Sequence, residues 1–416
     1  MNIAVIGSGI SGLTAGYLLS RNHEVVMYEA ASRLGGHTAT ITTEVDGKME
    51  NIDTGFIVYN DWTYPNFIAL MKELNIPGKP TEMGFSVTTV NHDFEYCGSS
   101  VGRMFAQKRN IVNPAFYGML ADILNFNRRA KEAVHSESLD PKLSLMDYLA
   151  QFDYGSLFLD YYIVPMASAI WSCAGKEVEQ FQALFFLQFF YHHGLLNIND
   201  RPQWHVIKQG SFQYIEPITA GFKENIRLNQ KVLSIDRFDD YVEISTSNSK
   251  ARFDYVVIAS HSDQALNMLS EPTPQEQAIL GAIHYRDNSV IMHTDTRVMP
   301  RNRRAWTSWN YLVDGSQHDQ PVVTYHMNTL QGLTCNTDIL VTVNGDKHID
   351  PAKIKYSFNY AHPQLTQQSI KAQQQWETIN NENRTLYCGA YWRNGFHEDG
   401  VYSARRAVES IGERWL

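Results

Sequence analysis

The stretch "NIAVIGSGISGLTAGYLLS" (Asn2–Ser20) decides the fold. An apolar strand from Ile3 to Ile6 runs into a turn through Gly7, Gly9 and Gly12, and helical periodicity then continues to about Arg21. In a dinucleotide fingerprint the first glycine permits the tight turn, the second lets a pyrophosphate approach the backbone, and the third lets helix and strand pack closely. The unpaired N–H groups and positive dipole end of the helix N-terminus then face the phosphates. A second strand, "EVVMY", ends at Glu29, about where an acid hydrogen-bonds ribose hydroxyls. An acid there disfavours a 2′-phosphate, so NAD and FAD remain and NADP does not. "EAASRLGGHT" next places Arg33 and Gly35-Gly36 where a cation and bare backbone meet a second face of the pyrophosphate, a feature that simple nicotinamide dehydrogenases do not need. A hairpin turning at Asp46-Gly47 leads to "NIDTGFIVYN", in which Gly55 again permits close backbone approach.

At 416 residues the chain is long enough for about two to three domains, or for two whose segments interleave. Hydrophobic residues at 44% and charged residues at 19% describe a soluble globular protein, and a formal net charge of -9 argues against nucleic acid as a partner. The basic cluster of Arg301, Arg303 and Arg304 in "MPRNRRAW" reads either as a solvated loop or as a local site for acidic headgroups. Cys97, Cys173, Cys335 and Cys388 are far apart with no C-x-x-C, which suggests a reduced cytosol and neither a disulfide framework nor a zinc site. The N-terminus lacks a basic n-region and is not expected to be a signal peptide. No apolar run reaches about 18 residues, so no spanning helix is expected.

Alternation in "MGFSVTTVNHDFEY" (83–96) predicts a strand pair, and a mostly helical tract follows from about Val101 to Leu196. Its segment "FQALFFLQFFYHHGLL" (181–196) is apolar all round, which fits a buried helix or the wall of a tunnel for an apolar substrate, with His192 and His193 near its mouth. Residues 226–260 read as a β meander with turns near Asp239-Asp240 and Ser247-Asn248, ending in a buried strand. "NSVIMHTDT", "PVVTYHMN" and "DILVTVN" predict a further sheet, and "AWTSWNYL" a lined cavity. Near the end, "TLYCGA" (385–390) predicts a buried strand, and "VYSARRAVESI" a helix beginning just after Asp399-Gly400 and capped by Asp399. There is no serine-centred elbow, no H-E-x-x-H and no metal-spaced carboxylate cluster, so no metal ligands are assigned.

Through "GSGISG", Glu29, "RLGG" and the "DTG" followed by "YPNFIALMKELNI", the chain resembles the flavin-containing amine oxidase superfamily, which includes phytoene desaturases and protoporphyrinogen oxidases. "DTGFIVYN", "SAIWS", "RPQW", "SWNY", "HPQL" and "GFHEDG" look like a bacterial subgroup of FAD-binding oxidoreductases often encoded beside cyclopropane fatty acid synthases. The resemblance implies an α/β fold, with a Rossmann-like FAD-binding domain (1–82, 205–264 and 385–416) interleaved with a mixed α+β substrate domain (83–204 and 265–384) that is helical at about 101–200. It implies FAD as cofactor, held by Gly7, Gly9, Ser11, Gly12, Glu29, Ala30, Arg33, Gly35, Gly36, His37, Thr38, Gly55, Phe56, Val232, Ser260, Gly389, Asp399 and Val401. Val232 would meet the adenine, Ser260-His261 would lie at a strand end near the cofactor, and free N–H groups of Val401 and Tyr402 would stabilise negative charge on a reduced flavin.

Tyr391, Trp392 and His397, with Trp309, Tyr325 and His326 as second choices, are the candidates to line the isoalloxazine. His397 is the candidate for proton transfer, or else a structural hydrogen-bonding residue. Two positions depart from the family pattern. Met292 stands where many amine oxidases carry a lysine bonded through water to the flavin. Ala390 and Tyr391 follow Gly389 where many relatives have an acid that reaches the ribityl chain. The implied function is hydride transfer between flavin N5 and an apolar substrate, a fatty acyl or lipid chain. The alternatives are an amine oxidase-like enzyme and a non-catalytic flavin-binding partner of a cyclopropane synthase-like methyltransferase. The expected location is cytoplasmic, with peripheral membrane contact.

Overall fold

In a computed structural model, which describes residues 1–136, 139–315 and 320–415, the opening strand Asn2–Ile6 lies in the middle of a five-stranded parallel sheet. The order runs Ile226–Arg227, Glu24–Tyr28, Asn2–Ile6, Tyr255–Ile258, Thr385–Tyr387. Ala4 sits opposite Val26 on one side and Val256 on the other. Such strands are covered on both faces, so they read as continuous apolar runs rather than alternating ones. The helices Ile10–Leu19 and His397–Glu409 pack on this sheet and on each other, burying Leu13, Leu18, Val401 and Ala404.

The meander folds as read, into the antiparallel strands Val232–Arg237, Val242–Thr246 and Lys250–Phe253, before the chain re-enters the parallel sheet. A second, seven-stranded mixed sheet is ordered Ile354–Pro363, Tyr285–His293, Leu340–Val343, Val322–His326, Trp309–Val313, Phe85–Thr89, Glu95–Cys97. Its pairs are antiparallel except for Phe85–Thr89 with Trp309–Val313. The helices between Val101 and His192 build an aromatic core against this sheet, around Phe126, Phe158, Phe186 and Phe190. Phe396 packs against both that core and the core of the parallel sheet.

Two boundaries differ from the sequence reading. The apolar tract 181–196 is helical only over Ala183–His192, because Gly194 turns left-handed (φ +66) and ends it. The last helix begins at His397, not after Gly400, so Glu398 and Asp399 lie inside its first turn. All four cysteines are buried and free. Among the described residues, no helix is long and apolar enough to cross a membrane.

Candidate functional site

The glycine turn has two different reasons for its glycines. A Cβ on Gly12 would lie 1.9 Å from the carbonyl oxygen of Gly7, so the helix seats on the turn only if this residue has no side chain. A Cβ on Gly9 would meet nothing within 4 Å, although Gly9 is the residue that precedes the helix and no side chain caps the N–H groups there. Gly36, at φ +55, faces the Gly9 backbone, where its Cβ would stand 3.2 Å from the Gly9 Cα. The two segments thus leave a bare strip of backbone beside uncapped N–H donors, the feature an anionic diphosphate requires.

Around this strip the carboxylate of Glu29 accepts from the Ser8 N–H (2.9 Å), the Ser8 hydroxyl and the Ala31 N–H (2.8 Å). It is held at the sheet edge with lone pairs to spare for ribose hydroxyls. Gln230 and Asn229 donate their N–H groups to the carbonyls of Glu29 and Ala31, which ties the segment before the strand Val232–Arg237 to the residues around Ala30. Ser260 follows the neighbouring strand, its N–H close beside Gly7. Arg33 differs from expectation: its guanidinium donates to the carbonyls of Leu34, Gly36 and Thr38 and so braces the Gly35-Gly36 turn from outside. Gly55 makes room for protein, not cofactor, since its Cβ would lie 2.2 Å from the His37 carbonyl oxygen. Ser11 is buried under the last helix, where Gly400 lets the two helices touch.

At the start of the last helix, the His397 Nε2 meets the Thr38 hydroxyl (3.1 Å) and the Tyr214 hydroxyl (3.2 Å), which also bond each other. Its ring stacks on Phe56 at 3.6 Å. Burial drives its pKa well below the usual histidine range, with His37 adding to the effect. His397 thus forms a buried hydrogen-bonded trio with Thr38 and Tyr214. Phe56 supports that ring instead of facing open space. His37 itself is pushed down to about 3, by burial and then by the nearby His362, and its buried Nε2 has no partner among the described residues. His362 is bonded to Ser172 (3.1 Å), and His261 stacks on Tyr285 at 4.2 Å. Sequence reasoning missed Tyr214, Tyr285 and His362 as site residues. Tyr214 reaches Thr38 across 176 positions, and no local spacing signals that.

The C-terminal loop combines buried rings with capping acids. Tyr391 and Trp392, 5.1 Å apart, are buried on the parallel sheet side, and among the described residues neither the Tyr391 hydroxyl nor the Trp392 Nε1 has a hydrogen-bond partner. Gly389 is extended, donates its N–H to Ser403 (3.0 Å), and leaves room for the Tyr391 ring. Glu398 caps another helix, Pro65–Glu73, by accepting from the N–H groups of Asn66 (3.2 Å) and Phe67 (2.9 Å) and from the Asn66 amide (2.6 Å). Asp399 accepts from the Phe396 N–H (2.9 Å), and burial raises its pKa to about 7 against the pull of that bond and of Arg393. Because the helix starts at His397, the Gly400 N–H is already paired with the Phe396 carbonyl. The Val401 and Tyr402 N–H groups then fall inside the helical ladder, and the uncapped donors belong to the preceding turn.

The second-choice residues divide. Trp309 and Tyr325 stack at 6.3 Å in the seven-stranded sheet, facing the aromatic core. His326 is tied to Thr329 (2.7 Å) and Asp338 (3.1 Å) near Trp306, where burial lowers its pKa. Met292 is fully buried among Val290, Met327 and Val341. A cavity of about 740 Å³ opens beside the start of the last helix, lined among others by Tyr64, Lys131, His192, His193, Arg393 and Asp399. His193 stacks on Phe189 at 3.8 Å, and burial lowers it to about 4.

These residues fit FAD. The open space at Gly9 suits a diphosphate, Glu29 suits a ribose, and the unpartnered His37 Nε2 is a buried polar group of a kind that folded chains rarely leave unsatisfied.

Comparison with known proteins agrees. The model of the family described as "Flavin containing amine oxidoreductase" matches residues 10–328. An L-amino acid dehydrogenase of Synechocystis sp. is 25% identical over 62% of this chain and 55% of its own length. The chain spans about half the length of the curated relatives it matches. The cyclohexylamine oxidase of Brevibacterium oxydans IH-35A shares the fold, with TM-score 0.71 and 14% identity over 99% of this chain and 98% of that one. So does a CLA-producing fatty acid isomerase from P. acnes, with TM-score 0.69 and 13% identity over the same shares. The matched span holds most of the chain, and FAD is the cofactor the family implies. The chain belongs to the flavin containing amine oxidoreductase family.

Proposed function

We propose that this protein is an FAD-dependent oxidoreductase that acts on an apolar substrate, with a fatty acyl or other lipid chain as the candidate class. Bound FAD supplies the hydride-accepting centre. The observation that carries the apolar half is a run of rings leading to the start of the last helix. Trp171 packs on Phe189 at 4.7 Å, and Phe189 on Phe396 at 5.6 Å, one residue before His397. Such a wall offers an apolar face to a substrate. Burial disfavours the charged form of the titratable groups around the start of the last helix. His37, His193 and His397 are depressed, and Asp399 is engaged in a helix cap. Their part is to bind, orient and keep the site dry.

Met292 supports the same reading, because a thioether in an apolar cluster cannot do what a lysine bonded to water does. The fatty acid isomerase of like fold is named for a substrate of this class, whereas the curated relatives are named for amines and amino acids. We also infer the division of the chain into an FAD-binding domain (1–82, 205–264, 385–416) and an interleaved substrate domain.

The test is spectroscopic. The purified protein is expected to show flavin absorption, or to acquire it on incubation with FAD. Under anaerobic conditions the oxidised flavin is expected to be bleached by an acyl substrate, or the reduced flavin to be reoxidised by an acyl or carotenoid-like acceptor. A protein that never binds flavin would overturn the whole reading. Bleaching by simple amines or amino acids, with no response to acyl compounds, would overturn the substrate half. Flavin binding without turnover of either class would favour a non-catalytic partner of a lipid methyltransferase.

A further inference from the structure

Two basic stretches nearly 200 residues apart in sequence are joined on one face of the molecule. The first is the segment that carries Arg103, Lys108 and Arg109, and the second is the loop of Arg301, Arg303 and Arg304. Buried Glu95 fastens them. Its carboxylate accepts from the N–H groups of Arg301 (2.6 Å) and Asn302 (3.2 Å), and its carbonyl accepts from the Asn110 amide (3.1 Å). The Asn302 amide bonds the Ala106 carbonyl, and Cys97, Ala106 and Ala305 pack beneath the seam.

The same face exposes large apolar side chains. Val101 is 79% exposed, Val112 80% and Ile111 51%, and Tyr117 and Leu124 are 48% and 52% exposed on the helix Pro114–Ser136. Tyr117 and Leu124 are seven residues apart, two turns, and so share one side of that helix. Single exposed apolar residues are ordinary, but a group of them set among cations is not. Arg103 pairs with Glu82 and Arg303 with Asp338. Among the described residues, Lys108, Arg109, Arg301 and Arg304 hold no ion pair, although the whole chain carries a net charge of -9. A recess of about 300 Å³ lies beside them, lined among others by His92, Arg297, Arg301, Arg303 and Trp306.

We propose that this face seats on an anionic lipid bilayer, with Val101, Ile111 and Val112 entering the headgroup boundary and the arginines and lysine meeting lipid phosphates. Apolar tips ringed by unpaired cations are the arrangement that binds at such an interface, where insertion and electrostatic attraction add. The proposal is independent of which substrate the flavin site takes.

Vesicle co-sedimentation of the full chain tests it. The protein is expected to pellet with phosphatidylglycerol vesicles at low salt, to be released by high salt, and not to pellet with phosphatidylcholine vesicles. The variant Lys108→Glu/Arg109→Glu/Arg301→Glu is expected to lose about tenfold or more in partitioning, with flavin absorption unchanged. Ile111→Ser/Val112→Ser is a second variant that alters no charge, and it is expected to weaken binding in low salt as well. No pelleting with phosphatidylglycerol, equal pelleting with both lipids, or wild-type pelleting of both variants would overturn the proposal.

Discussion

The glycine turns and the C-terminal loop, the two ends of the proposed flavin site, solve the same problem by opposite means. At residues 7–12 and 35–36 the chain prepares for a ligand by removing side chains, so that backbone meets backbone and N–H donors stay uncovered. At residues 389–404 it fills the space with rings and acids and relies on distant segments to satisfy them: Thr38 and Tyr214 for His397, and the helix Pro65–Glu73 for Glu398. The difference teaches that a backbone-built site is local and a side-chain-built site is not. The first should tolerate or reject substitutions on steric grounds alone, and the second through lost partners and shifted protonation.

The largest expected effect tests the backbone side. Gly12→Ala would set a Cβ 1.9 Å from a carbonyl oxygen, which neither neighbour can yield without moving the strand or the helix. A loss of about 3 kcal/mol or more in unfolding free energy is expected. Urea denaturation would check it, and a variant as stable as the parent would show that the turn is not close-packed. Next comes Glu398→Ala, which strips three donors of their acceptor at the start of Pro65–Glu73. About 2 kcal/mol is expected from the lost cap, again read by urea denaturation. If that variant instead kept its stability and lost turnover, Glu398 would belong to the chemistry and the contrast between the two ends would fail.

That division also explains how much is legible in the sequence. The parallel sheet is legible because buried strands such as Ile3–Ile6 are continuous apolar runs, and the hairpin because Asp46-Gly47 fixes its turn. The start of the last helix is not, because Asp399-Gly400 resembles a cap and break. In fact Gly400 lies within the helix to let it touch Ile10 and Ser11, a tertiary reason with no local mark. The sequence places Arg33 beside the Gly35-Gly36 turn, but its partners are three nearby carbonyls. The depressed histidines are illegible for the same cause: the pKa of His397 is lowered by the burial its distant neighbours impose, not by its neighbours in sequence.

A smaller effect, of the opposite sign, comes from Asp399. Its folded pKa is raised to about 7, chiefly by burial, whereas an unfolded aspartate titrates near ~3.9. Between these values the folded state keeps a proton that the unfolded state releases, so this group's contribution is full below about pH 4 and declines as pH rises toward about 7. An asparagine at this position would titrate in neither state and could still accept from the Phe396 N–H. The stability of Asp399→Asn relative to the parent is therefore expected to rise by about 1 to 2 kcal/mol between pH 5 and pH 7. Denaturation curves of both proteins at the two pH values would check this. A difference that does not change with pH would mean that Asp399 is ionised in the folded protein.

The smallest effect on the fold is expected at Gly9, and it separates fold from function most cleanly. Gly9 has an ordinary φ of -63° and open space where a Cβ would stand, so Gly9→Ala should change stability by less than about 0.5 kcal/mol. Only three residues away, the same substitution at Gly12 is expected to disrupt the molecule. What the added methyl would fill is the strip facing Gly36 and the uncapped helix N–H groups, where a diphosphate must approach the backbone. Flavin affinity is accordingly expected to fall about tenfold or more, a loss of roughly 1.4 kcal/mol in binding. Titration of the apoprotein with FAD, followed by absorption, would measure it. A Gly9→Ala protein that is stable and still binds FAD as the parent does would show that the space is idle. The glycine turns would then be a packing solution only, and the case for a flavin site would have to rest on the rings and the His37 Nε2, which has no partner among the described residues.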